Sequence, residues 1–396
     1  MIWLLVFFLS AILLIYSYLL YPELLRWLAR GRKQNSLTWE RDDDLPYAIV
    51  LFSAFNEEKV IAAKIESVLN SRYPQDKIRL VIGSDNSTDQ TDEIIRQYAR
   101  QDRRILLQTF PLRQGKSSIL NALVSRLQQE LPFWKQSILI LTDANVLFTS
   151  DTLFQLVKHF RNERIGQVGA HIQNCGMRQD GISYQEVTYI KRENQIKYYE
   201  GLIWGTMMGA FGACYAIRPS CWKTIPPNFL VEDFFLSMHV LASGYQAIHE
   251  LQAICYEDVS NEVSEELRRK TRIQAGNFQN LWYYRKMLWR FNAVSFCFFS
   301  HKVIRWFGPL LLLMCFISNL ALVPTHGFFQ LTLLLQCLLF LSPLADYSLK
   351  QAGINNFQRL RLIAYFYAMN YALLKGMWVY LRGMKSNVWS PTRRNV

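Results

Sequence analysis

Residues 2–20, IWLLVFFLSAILLIYSYLL, carry no charged side chain. A helix of about 20 apolar residues is long enough to cross the hydrocarbon of a bilayer. No Lys or Arg precedes the run and no small-residue cleavage site comes after it, so it does not read as a signal peptide. Arg26, Arg30, Arg32 and Lys33 come directly after it. The positive-inside rule then puts the N-terminus outside and the central part of the chain in the cytoplasm.

The same theme returns near the other end. Residues 306–323 form a second span, preceded by His301, Lys302 and Arg305. Residues 328–346 form a third and bring the chain back toward Lys350, Arg359 and Arg361. Residues 362–374 are apolar but interrupted by Asn370 and followed by Lys375, which leaves both a span and an interfacial or re-entrant helix open. The stretch 276–300 mixes Trp, Tyr and Phe with Arg285, Lys286 and Arg290, the composition of an amphipathic helix at headgroup level. The expected organisation is a membrane helix at 1–25, an aqueous domain at 40–275, an interfacial helix at 276–300, membrane or interface helices at 301–383 and a basic tail at 384–396. The setting expected is a multi-pass protein of a bacterial inner membrane with membrane lipids as neighbours.

Composition agrees. Hydrophobic residues make up 51% and charged residues 19% of the 396, which excludes a disordered chain. The net charge of +13 has an explanation in the membrane flanks, and no RNA- or DNA-binding motif accompanies it, so no nucleic-acid partner is expected. Seven cysteines with no CxxC pair argue against structural zinc and a disulfide framework, and for reduced thiols packed as small hydrophobes.

Between the apolar ends, strand and helix patterns alternate. Strands are expected at Tyr47–Phe55, Ile78–Ser84, Ile105–Thr109 and Ser137–Thr142, with helices at Glu57–Leu69, Asp92–Tyr98, Lys116–Leu131 and Thr152–Phe160. Such alternation means an α/β domain with a parallel sheet covered on both faces. Ligands of these sheets bind beyond the carboxyl ends of the strands. Three of those ends run into acidic, small-residue turns: Ser53-Ala54-Phe55-Asn56-Glu57-Glu58, Asp85-Asn86-Ser87-Thr88-Asp89, and Asp143-Ala144-Asn145. Asn, Asp, Ser and Thr are also common caps and turn formers, and that plainer reading suits Asn56, Ser87 and Thr88. Carboxylates at strand ends suit Mg2+ or Mn2+, which take oxygen ligands from protein and phosphate together. The P-loop pattern is absent, which disfavours ATP chemistry of that kind. Arg113-Gln114-Gly115-Lys116 opens a helix and can place cations and N–H groups near phosphate, although taken by itself a solvated basic turn is the better reading.

The runs FSAFNEE, SDNSTDQT, TDAN and VED, in this order, resemble the membrane-bound glycosyltransferases of family 2, the group of cellulose, chitin and hyaluronan synthases and ceramide glucosyltransferase. The resemblance covers roughly 47–280. It implies a GT-A fold, a Rossmann-like nucleotide-diphospho-sugar transferase domain, and an inverting, metal-dependent transfer from a nucleotide sugar, with UDP the expected nucleotide. It places Ser53, Phe55, Glu57, Asp85 and Lys116 at the nucleotide. It maps the metal motif onto Asp143 and Asn145, with Asn where the family has a second Asp, and the base onto Asp233, beside Glu232. The base is chemically necessary, because an acceptor hydroxyl is a weak nucleophile until its proton is taken. Processive members carry Q-x-x-R-W after the base. Here the stretch reads Arg269-Lys270-Thr271-Arg272-Ile273, so Arg269 and Arg272 are assigned to the diphosphate and the aromatic platform is missing. The function expected is sugar transfer to a lipid-linked or polysaccharide acceptor at the cytoplasmic face. A processive synthase that exports its product, and a sugar-nucleotide-binding protein without activity, are the alternatives.

Overall fold

The computed structural model describes residues 1–175, 183–258, 263–352 and 357–384; the tail from Lys385, with its Trp389-Ser390-Pro391-Thr392-Arg393 run, lies outside them. The chain divides into two compact units. One comprises chiefly residues 28–177 and 189–260, and the other residues 1–27, 178–188 and 261–383.

The first unit is built on one eight-stranded sheet. Its strands are β1 (Tyr47–Ala54), β2 (Ile78–Ser84), β3 (Ile105–Thr109), β4 (Ser137–Thr142), β5 (Val146–Phe148), β6 (Ile165–Cys175), β7 (Cys214–Ile217) and β8 (Gln246–Asp258), in the order β3-β2-β1-β4-β7-β6-β8-β5. The first four are parallel, as the alternation predicts. The far half departs from that expectation: β7 runs antiparallel to both β4 and β6, and β5 runs antiparallel to β8, so the sheet is mixed. Strand β1 is followed outward by β2 and β3, whereas β4 returns to its other side. The switch point of the sheet therefore falls between β1 and β4, where an α/β sheet opens a crevice for ligand.

Every β1 residue from Ala48 to Phe52 is buried, and β4 is buried throughout, which is why these strands read as unbroken apolar runs. Register makes the strand ends flush: Ala54 pairs with Ser84, Ser84 with Thr109, and Leu51 with Leu141. The helices Ile61–Leu69, Thr91–Gln101 and Lys116–Glu130 connect the parallel strands. The helix after β1 starts four residues later than its apolar spacing suggests, because Glu57–Val60 form a turn in which Glu57 O accepts from Val60 and Ile61. Gly83 permits close packing of the helix Lys116–Glu130 on β2: a Cβ there would overlap Ile119 Cγ2 and lie 3.2 Å from Leu123 Cδ1.

The second unit is helical. Its first helix, Ile2–Leu28, is long and apolar enough to cross a membrane. Ala293–Trp306 with Gly308–Leu322, and Gly327–Phe340 with Ser342–Leu349, each reach that standard only as a pair, bent by 63° and 41°. Among the described residues there is thus one candidate span, or up to three if each bent pair is one. Phe7 packs with Cys315, Leu322 and Phe329. Arg305 donates to Ser17 O, and the Ser17 hydroxyl donates to Ser300 O. A single helix, Val263–Tyr284, runs through the boundary expected at 275. It packs against the helix Gln358–Leu381, where Gly376 is needed: a Cβ would lie 2.5 Å from Thr271 O.

Overpacking a tight core position costs about 1–3 kcal/mol, so Gly83→Val is expected to lower the stability of the full chain by that amount in thermal or denaturant unfolding. An unchanged midpoint would mean that the helix over β2 yields freely.

Candidate functional site

The acidic turns lie at the flush carboxyl ends of β1, β2 and β4. Asn56 and Asn86 adopt left-handed backbone, with φ of 53° and 60°, a conformation Asn tolerates better than most residues. The polar side chains around them stitch two loops together. Asn56 Oδ1 accepts from Thr88 N at 2.8 Å, Glu57 N donates to Thr91 Oγ1 at 2.8 Å, and Asn56 N donates to Ser87 Oγ at 3.3 Å. Asn56, Ser87 and Thr88 are therefore loop formers.

Asp85, buried at the end of β2, accepts Gln114 N on Oδ1 at 2.7 Å and Gly115 N on Oδ2 at 3.0 Å. One carboxylate thereby fixes the loop that opens the helix Lys116–Glu130, and Gly115 supplies the φ of +81° this loop requires. In the same loop the Arg113 guanidinium lies over the Phe55 ring, 3.4 Å from its centre, and 3.9 Å from Asp85 Oδ2. Ser53 is one residue from the end of β1, paired with Gly83, and Glu57 begins the turn after it.

Lys116, so positioned, reaches two carboxylates from different parts of the chain. Its Nζ lies 2.6 Å from Asp143 Oδ1 and 2.6 Å from Glu232 Oε1. Burial works against the ammonium, but the two carboxylates outweigh it and raise the group above the usual lysine range. Asp143 follows β4 directly, and its N–H donates to Ala213 O at 3.2 Å. Asn145 follows in the same turn.

Glu232 and Asp233 open the helix Glu232–Ala242. The segment before it is tied to the helix Lys116–Glu130: Asn121 exchanges two hydrogen bonds with the Ile225 backbone, and Ser117 Oγ donates to Phe229 O. The glycine-rich segment 205–213 docks on the helix Glu232–Ala242 through Ala210 N to Ser237 Oγ, 3.0 Å. Gly212 faces the carboxylate of Asp233, since a Cβ there would lie 2.9 Å from Oδ2. Asp233 Oδ1 accepts from its neighbour Phe234 N at 2.8 Å. Burial and the adjacent Glu232 charge push the Asp233 carboxyl up to about 6, while Lys116 works in the opposite sense.

The structure thus brings Phe55, Asp85, Lys116, Asp143, Glu232 and Asp233 into one linked set. Arg269 and Arg272 belong to the other compact unit, on the helix Val263–Tyr284. There Arg269 is committed to Glu186 Oε1 at 3.0 Å and Glu266 Oε2 at 2.9 Å, Lys270 joins both acids, and the Tyr365 hydroxyl donates to Glu186. Burial opposes the Glu266 charge, but Lys270 and Arg269 prevail and hold it down to about 2. Sequence reasoning did not assign Arg113 individually, and it missed Lys64. For Lys64 a signal exists: Ile61, Lys64, Ile65 and Val68 form one buried helix face, and a charge on such a face is unusual.

The oxygen chemistry of the turn suits a hard divalent ion. Asp143 offers a carboxylate and Asn145 an amide oxygen, a small set of the kind that shares Mg2+ or Mn2+ with substrate phosphates. Among the described residues no group of three or more His, Cys, Asp or Glu stands where protein alone would hold an ion.

Comparison with known proteins agrees with this architecture. Residues 138–372 match the glycosyl transferase family group 2, and residues 49–220 match the glycosyl transferase family 2. A β-monoglucosyldiacylglycerol synthase from Nostoc sp. is 34% identical over 131 residues, 33% of this chain and 26% of that protein. A poly-β-1,6-N-acetyl-D-glucosamine synthase from Staphylococcus epidermidis is 21% identical over 235 residues, 58% of this chain and 54% of that one. The matched part thus spans about a quarter to a half of these curated relatives. A mannosyltransferase from Pyrobaculum calidifontis, solved with GDP-Man and Mn2+, superposes with a TM-score of 0.68 at 18% identity, covering 95% of this chain and 99% of its own. The shared fold is GT-A.

An Asp85→Asn exchange keeps the shape but leaves one acceptor where two N–H groups point. Losing a hydrogen bond to a charged acceptor costs about 1.5–3 kcal/mol, so hydrogen exchange at Gln114 and Gly115 should quicken roughly tenfold or more. Unchanged protection there would show that the loop is held by something else.

Proposed function

The chain belongs to the family 2 group of glycosyltransferases, and on that premise we propose that it moves a sugar, with inversion, from a nucleotide diphosphate to an acceptor hydroxyl at the cytoplasmic face of a membrane. UDP is the nucleotide we assign to the donor, and a lipid-linked or growing glycan the acceptor. The observation that carries this reading is the position of Lys116, one ammonium joining the turn of Asp143 to the helix that begins with Glu232 and Asp233.

The chemistry rests on the side chains. The acceptor oxygen bonds to the anomeric carbon, the carbon–oxygen bond to the diphosphate breaks, and its electron pair leaves with the nucleotide. The acceptor proton goes to Asp233 Oδ2, the oxygen that faces Gly212, while Oδ1 is oriented by Phe234 N–H. Lys116 lies where the departing diphosphate gathers negative charge, and fixed positive charge there lowers the barrier. Asp143 and Asn145 would hold Mg2+ or Mn2+, which supplies Lewis-acid neutralisation of the same oxygens. Phe55 and Arg113 offer a stacked face for the base, with Asp85 behind them. The 34% identity with a glucolipid synthase supports a lipid acceptor, and Ile273, in place of the aromatic platform of processive members, supports a short product.

Purified protein in lipid should release UDP from a UDP-sugar in a metal-dependent way, and mass spectrometry of the product should show one or a few sugars on the acceptor. Asp233→Asn should lower turnover by about 10²–10⁴-fold with folding intact, since that is the range contributed by a positioned base. Full turnover in that variant would remove Asp233 from the role.

The base must be ionised to work. Turnover should therefore fall as pH drops through about 6, the range to which Asp233 is raised. Because the Lys116 charge holds the Asp233 carboxyl down, Lys116→Gln should move this acidic limb to higher pH in addition to slowing the reaction. A limb that stays in place would mean that the two groups do not sense each other.

A further inference from the structure

We propose that Lys64 is a positioning residue for sugar transfer: its ammonium, buried beneath the Asp143–Asn145 turn, locks that turn to the Gly212-Ala213 segment facing Asp233. The inference rests on the reading of the turn as the donor site.

Lys64 lies on the inward face of the helix Ile61–Leu69 and has no exposed surface. Its Nζ donates to Thr142 Oγ1 at 3.0 Å and to Val146 O at 2.6 Å. These acceptors lie on the two sides of Asp143-Ala144-Asn145, so one ammonium grips the turn at its entry and its exit. The Thr142 hydroxyl, receiving from Lys64, donates onward to Ala213 O at 2.8 Å. The same carbonyl accepts from Asp143 N at 3.2 Å, and Val146 N closes the turn on Asp143 O at 3.2 Å. A continuous path therefore runs from Lys64 through Thr142 to Ala213, next to the glycine that faces Asp233.

A packing role alone does not account for a charge in this place. An ammonium loses much hydration on burial, and Met or Leu would fill the same volume without that cost. What lysine adds is a set of N–H donors and a cation, and the surroundings use both. The Phe148 ring lies 3.7 Å from Nζ and Phe52 lies 5.8 Å away, so aromatic faces support the charge from below. Burial pulls the amine down to about 8, with Cys214, Cys255 and then Asp143 acting against that pull, so the protonated, donating form persists at neutral pH. The carboxylate that meets the donor and the carboxylate that meets the acceptor belong to segments far apart in sequence. Lys64 steadies the first against the segment that faces the second, without touching either carboxylate.

The test uses the full chain in lipid nanodiscs and compares wild type with Lys64→Met, which keeps the stem and removes charge and donors, and with Thr142→Val, which removes only the relay hydroxyl. The second variant carries the test if the first does not fold. Hydrogen–deuterium exchange over 142–146 and 212–214 reads the clamp without reference to activity. Steady-state kinetics with a UDP-sugar and Mn2+ read its consequence. Both variants should show exchange at Asp143 and Val146 about tenfold faster, as for the loss of one hydrogen bond. Their kcat should fall by about 100-fold, the cost of misplacing reacting groups by about an ångström, with a much smaller change in donor KM. Unchanged exchange in both variants, or a kcat loss that merely tracks the folded fraction, overturns the proposal. A wild-type chain that consumes no donor would sink the functional reading instead, and the exchange comparison would then decide the clamp by itself.

Discussion

Asp143, Glu232 and Asp233 crowd one end of the sheet, and like charges at that separation repel unless a cation lies among them. Lys116 is that cation. Its ammonium reaches a carboxylate at the end of β4 and another at the start of the helix Glu232–Ala242, and it does so because Asp85 holds the preceding loop by two backbone N–H groups. The chain of dependence is short: Asp85 fixes the loop, the loop fixes Lys116, and Lys116 fixes the distance between the two acidic segments. The flush ends of β1, β2 and β4 supply the platform on which this can happen.

Buried charge is used in the same way elsewhere. In the helical unit, Glu186 and Glu266 are neutralised by Arg269 and Lys270, with the Tyr365 hydroxyl completing the set. Removing one member of such a group would leave its partner as an uncompensated buried charge. Arg269, assigned by motif to the diphosphate, has its guanidinium held by two acids of its own unit.

Much of the sheet was legible because its central strands are buried on both faces and so appear as continuous apolar runs. Ile78–Ser84 and Ser137–Thr142 begin and end where the pattern says, and so does the edge strand Ile105–Thr109, although it is mostly not buried. The far half was not legible as to direction, since β7 and β5 are short and their antiparallel pairing depends on contacts distant in sequence. The acidic turns were visible because each comes directly after a strand. Lys116 could be seen as a cation at a helix start, but its two carboxylate partners could not. Lys64 stands out as a charge on an apolar helix face, but nothing local reveals that Thr142 and Val146 are its partners. The helix Val263–Tyr284 crosses the expected domain boundary because its aromatic, basic end is continuous with an ordinary helical stretch, and composition alone marks no break there.

The central claim is that these distant acidic segments gather around one bound donor. A cryo-electron microscopy structure of the full chain in lipid, with Mn2+ and a non-transferable UDP-sugar analogue, tests it most directly. The diphosphate is expected within hydrogen-bond reach of Lys116, the ion on Asp143, and the anomeric carbon turned toward Asp233 Oδ2. A nucleotide seated away from the ends of β1 and β4, with Lys116 still closed on Asp143 and Glu232, would contradict it.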